Sequence, residues 1–90
     1  MREVYVSLPT VAIVHAFVMQ LSTLDGQFDF LSDRYVIDAK SLMGVFKLDL
    51  SKPLKLRIER DTRKAMDAIK CFIVDGAPEV KRKQALQEDL

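Results

Sequence analysis

The chain of 90 residues has no tryptophan, one cysteine, one histidine and two tyrosines. Each shortage excludes something. A lone Cys71 closes no disulfide within the chain and cannot by itself anchor a thiolate metal site. Its neighbours Ile69, Phe72 and Ile73 read as the setting of a buried or half-buried thiol on a helix. With no tryptophan and so few tyrosines, the usual platform for stacking the bases of a single strand is missing. Charge of one sign is missing too: 14 Lys plus Arg stand against 13 Asp plus Glu, for a net charge of +1. So even a balance supplies no electrostatic reason to expect nucleic acid or an anionic membrane as a partner. The longest apolar stretch, from Val11 to Met19, contains His15 and is too short for a membrane span. The opening MREVYVSLP has too short an apolar run for a secretory leader and includes a glutamate. The expectation is a cytoplasmic protein in a reducing compartment.

Chemistry-bearing arrangements are equally scarce. Asp25, Asp29, Asp33 and Asp38 are scattered without metal-loop spacing or a paired-carboxylate pattern, so no metal or cofactor is expected. No glycine loop for phosphates and no Ser-His-Asp set is present.

What the chain does have is apolar residues in ordered patterns, 49% of the total. Its length suits one domain, which at this size buries only about 60% of the unfolded surface and must pack efficiently. Val4, Val6 and Leu8 alternate with Tyr5 and Ser7, a short strand ended by Pro9. Thr10 can cap a helix in which Val14, Phe17, Val18, Leu21 and Leu24 recur at helical spacing, with Asp25-Gly26 as its stop. Phe28 and Phe30 lead through Ser32-Asp33-Arg34 into Tyr35-Val36-Ile37, a hairpin whose turn lacks a glycine. Ser41 precedes a short helical segment from Leu42 to Leu48. Leu54, Leu56 and Ile58 alternate with charged residues, a strand with one wet face. Asp61 or Thr62 then caps a last helix carrying Ala65, Met66, Ile69, Phe72 and Ile73, stopped by Asp75-Gly76 and Pro78. The domain is expected over residues 1–76, and residues 77–90 form a charged tail, a loose helix or disordered. The order β-α-β-β-α-β-α, with one apolar stripe per helix and one apolar face per strand, requires an α+β fold of two layers.

The stretch Asp38-Ala39-Lys40-Ser41-Leu42-Met43-Gly44-Val45-Phe46-Lys47-Leu48 resembles the HPr family, the phosphocarriers of the bacterial phosphoenolpyruvate-dependent sugar phosphotransferase system. There a lysine-serine pair opens a short helix at the same place, between the hairpin and the fourth strand. The last helix, Ala65 to Ile69, also fits the family's pattern. The resemblance spans roughly Val4 to Val74 and implies an open-faced sandwich, with three helices on one face of a four-stranded, mainly antiparallel sheet. It also implies where the family's chemistry would sit, and there the chain departs. With Phe17-Val18 fixing the register, the phosphoacceptor histidine falls on Thr10, its arginine on Ala12 and its proline on Ile13. The strand-to-helix connection is shorter as well. An imidazole there takes phosphate because free helix N–H groups and an arginine stabilise the charge. Neither nucleophile nor clamp is present, so the resemblance implies a divergent member without that activity.

The remaining candidates each carry two readings. His15 is either a displaced phosphoacceptor or a partly exposed helix residue; it lies beyond the first turn, where backbone N–H groups are already bonded. Ser41 is either a plain helix cap or, as in relatives from Gram-positive bacteria, a serine phosphorylated by an ATP-dependent kinase. Lys40 stands beside it. Met43 and Phe46 match apolar docking residues of the family and suit adaptable contacts, or else they pack inward. Leu42 matches too, with packing favoured. Ala12, Ala16 and Met19 lie off the main stripe of the first helix and would extend the patch around His15. Arg57 to Asp61 and Lys81-Arg82-Lys83 read as a solvated sheet face and tail.

Together these point to a non-catalytic regulatory or protein-binding module working through the second helix, with proteins of the phosphotransferase system or of carbon regulation as partners. A divergent phosphocarrier using His15 is the alternative, and a structural self-association domain a third.

Overall fold

A computed structural model describes residues 1–75 of the chain. The expected tail over 77–90, the Gly76 and Pro78 stop signals and the Lys81-Arg82-Lys83 run lie outside these residues. The first strand, β1 (Arg2–Val6), puts Val6 fully inside and Val4 half inside, as the alternation demands. Helix α1 (Val11–Ser22) starts at Thr10, whose backbone is extended and whose hydroxyl accepts the Ile13 N–H at 3.2 Å. It buries Val14, Phe17, Val18 and Leu21 of the predicted stripe, while Leu24, the last of that stripe, is buried just beyond the helix. It ends before Asp25-Gly26, because the N–H groups of Thr23 and Leu24 turn back to the carbonyls of Gln20 and Leu21. Gly26, at φ 95°, belongs to the turn that follows.

Strands β2 (Phe28–Leu31) and β3 (Val36–Asp38) form the predicted hairpin. No glycine is needed in its turn because Ser32 ties it. The Ser32 hydroxyl accepts the N–H groups of Arg34 and Tyr35 and donates to the Tyr35 carbonyl, and no residue of the turn takes a positive φ. Helix α2 (Leu42–Val45) is shorter than expected; Phe46, Lys47 and Leu48 continue it as a turn, with the Lys47 and Leu48 N–H groups bonded to Gly44 and Val45. Strand β4 (Leu54–Ile58) lies between β2 and β1, with Leu56 and Ile58 fully buried. Helix α3 (Arg63–Ile69) is capped by Thr62, not Asp61, through a 3.1 Å bond from the Ala65 N–H.

The last element corrects the sequence reading. The helix does not run on to Ile73: it gives way to a 3₁₀ turn over Lys70–Phe72 and a two-residue strand, β5 (Ile73–Val74). Val74 pairs with Tyr5 and Ile73 with Val6, while the Ser7 N–H bonds to the Phe72 carbonyl at 2.9 Å. Long-range pairing with β1 thus outweighs one more helical turn, and Ile73 and Val74 are β-branched residues suited to it. Cys71 is exposed on that 3₁₀ turn and not buried on a helix.

Among the described residues the sheet therefore has five strands, the four expected ones and short β5, in the order β3-β2-β4-β1-β5, with every pairing antiparallel. The three helices cover one face, where α1 touches both α2 and α3. Phe17 is the hinge of the core, with its ring 5.8 Å from Phe30 and edge-to-face with Phe72 at 5.1 Å. On the other face the register sorts residues by end. Asp38, Asp29, Arg57 and Glu3 make a charged row across the sheet, and Val36, Leu31, Lys55, Tyr5 and Val74 the next, largely apolar row. No helix among the described residues is long and apolar enough to cross a membrane.

Candidate functional site

The first turn of α1, Val11 to Val14, contains no histidine. Thr10 is there as a cap, followed by exposed Val11 and Ala12 and half-buried Ile13. The Val14 N–H already bonds to the Thr10 carbonyl at 2.9 Å, so the free N–H groups of the helix end before His15. His15 is exposed one position further on. It shares a helical face with Ala12, Ala16 and Met19, all exposed, at the i, i+3, i+4, i+7 spacing of one stripe.

Helix α2 sits beside α1 in the same layer. The exposed Ser41 hydroxyl accepts the Gly44 N–H at 3.2 Å, the single-residue cap that its position promised. Val45 is fully buried and Leu42 half-buried against the core, which anchors one side of the helix. The opposite side is apolar and wet: Met43 is 73% exposed and Phe46 37%. Gly44 explains how so short a helix stays seated. A Cβ there would stand 2.9 Å from Ile37 Cγ2 on β3, so only glycine lets α2 lie this close to the sheet.

Lys40 is placed differently from its neighbours. Its ammonium donates to the Leu24 carbonyl at 2.6 Å and lies 5.6 Å from the centre of the Phe28 ring. It ties the entry of α2 to Leu24, just past the end of α1. Nothing in the sequence pattern indicates this tie, since Lys40 and Leu24 come from separate elements.

A second region has no signature in the sequence pattern: a cleft at the end of the sheet that brings Tyr5, Leu31, Arg34, Tyr35, Lys47 and Lys55 together from five separate segments. At its rim, Asp49 takes the N–H and hydroxyl of Ser51 and lies 3.7 Å from Lys52 Nζ. Those Ser51 bonds, with Lys52 adding to them, hold its carboxyl below the ordinary value of 3.8. No group of three or more His, Cys, Asp or Glu side chains among the described residues could hold a metal ion.

No protein-family model matches the chain, and no curated protein matches it. Among solved structures the chain is similar to HPr-C-His from Thermoanaerobacter tengcongensis, known from its crystal structure. The two are 26% identical with a TM-score of 0.65, over 79% of this chain and 89% of that one. Together with the element order and the open antiparallel sheet, this gives the chain an HPr-like fold.

Proposed function

We propose that this chain is a non-catalytic, HPr-like protein-binding module, docking a partner through the outer side of α2 and the adjoining stripe of α1. The observation that carries the reading is the pairing of two features. Met43 and Phe46 are held out in solvent on a helix whose other side is anchored, while the position expected for a phosphoacceptor is occupied by a capping threonine. Methionine and phenylalanine on a fixed helix give a deformable apolar contact, with Met19, Ala16 and His15 as its flank on α1. The partner is a cytoplasmic protein of the phosphotransferase system or of carbon regulation, by analogy with HPr.

Ser41 is the regulatory residue in this reading. Its hydroxyl is exposed and two residues from Met43. Phosphorylation there would set roughly two negative charges at the edge of the apolar contact. The cap itself needs only the hydroxyl oxygen, so an unphosphorylated chain keeps the same helix. Lys40 contributes by fixing the entry of α2 to Leu24.

The test is capture from a bacterial lysate with a Met43→Ser/Phe46→Ser variant beside the wild type, followed by identification of each bound protein. Partners should drop away with the variant and return with wild type. Unchanged capture of every partner would overturn the docking reading. The Ser41 part is tested separately with an HPr kinase and ATP: wild type should be labelled and Ser41→Ala should not.

A further inference from the structure

Both tyrosines of the chain, Tyr5 and Tyr35, line one cleft of about 650 Å³. It opens where β1 ends, β4 begins and β2 turns into β3, and the loop leaving α2 closes its side. A cleft of this volume is within the range of small-molecule sites, roughly 300–1,000 Å³. Its walls carry four cations, Arg34, Lys47, Lys52 and Lys55, against Asp33 and Asp49.

The pairings decide which of these are available. Lys52 is 3.7 Å from Asp49, and Lys55 is 3.8 Å from Glu3 with its ammonium 5.9 Å from the centre of the Tyr5 ring. Arg34 and Lys47 have no ion-pair partner among the described residues, and Asp33 is the one unpaired carboxylate beside them. Tyr35 is 50% exposed, and its backbone is fixed by the Ser32 turn. The cleft thus offers a guanidinium fork, an ammonium and a half-exposed tyrosine on a tied loop. A guanidinium and an ammonium supply more donors than a single carboxylate can take, and they match the three oxygens of a phosphate. A half-exposed aromatic ring lining the same cleft suits a flat ring on the same molecule.

We propose that this cleft binds a small phosphorylated ring compound of nucleotide size, its phosphate on Arg34 and Lys47 and its ring on Tyr35. The site does not depend on the docking surface, although Lys47 directly follows Phe46 in the chain.

The experiment is a titration of the full ¹⁵N-labelled chain, followed by NMR, with metal-free ADP, adenosine and inorganic phosphate as separate probes. ADP should give saturable shifts at residues 31–35 and 47–55, with adenosine and phosphate each at least about tenfold weaker. An Arg34→Ala/Lys47→Ala variant, its remaining spectrum unchanged, should lose ADP affinity by about tenfold or more. Four results would each overturn the proposal: no saturable shift with ADP, shifts confined to other surfaces, adenosine or phosphate equalling ADP, or a folded variant that binds as wild type does.

Discussion

Asp29 and Arg57 are direct partners across β2 and β4, and their side chains meet at 3.2 Å on the face of the sheet that carries no helix. Asp29 is only 8% exposed, and on its other flank β3 sets Asp38 directly opposite. Gln27 donates to its second oxygen at 2.9 Å. A carboxylate this covered, with another carboxylate as neighbour, depends on the guanidinium.

Arg57→Met should therefore destabilise the fold by about 2 kcal/mol, more than the loss of an exposed ion pair, because it strands Asp29. Adding Asp29→Leu to Arg57→Met should recover part of that loss. Urea denaturation of the two variants measures both. Equal stability of Arg57→Met and wild type would mean that the pair contributes nothing.

Gly44 makes a prediction with an unusual sign. In an exposed helix interior, glycine to alanine normally stabilises by about 1 kcal/mol. Here the new methyl would press on Ile37 Cγ2 at 2.9 Å, and Gly44→Ala should cost about 1–3 kcal/mol instead. Because the strain is against one side chain, Gly44→Ala in an Ile37→Ala background should cost much less. Thermal unfolding of this four-member cycle gives the coupling; an additive cycle would show that α2 is not held by this contact.

Cys71 should react in the native protein. Its exposure on the 3₁₀ turn predicts labelling by a disulfide reagent at a rate within about tenfold of a free thiol, without denaturant. Labelling that waits for unfolding would restore the buried helical thiol.

The sequence made the layers legible because their signals are local. The stripe Val14, Phe17, Val18 and Leu21, and the caps Thr10, Ser41 and Thr62, are written in spacings of three and four residues and appear where read. The segment after Ile69 does not reveal its strand in the sequence, because its apolar residues also fit a helix. What decides it is Val6 and Tyr5, nearly seventy residues away, which offer Ile73 and Val74 an open strand edge. Lys40 and the Tyr5–Tyr35 cleft escaped for the same reason: each is assembled from elements with no common pattern. Of the candidate site, the exposed Met43 and Phe46 follow from Val45 being the residue turned inward. Which of a short helix's apolar residues faces water cannot be read before its neighbours are known.

The central claim is that docking remains where phosphoryl chemistry has gone, with Thr10 capping the helix at which a phosphoacceptor would stand. Its most direct test is incubation of the full chain with phosphoenolpyruvate and Enzyme I, scoring acid-labile phosphate by mass. The account predicts no phosphorylated species in wild type or in His15→Ala. An acid-labile phosphate on wild type that disappears in His15→Ala would contradict it and make the chain a phosphocarrier.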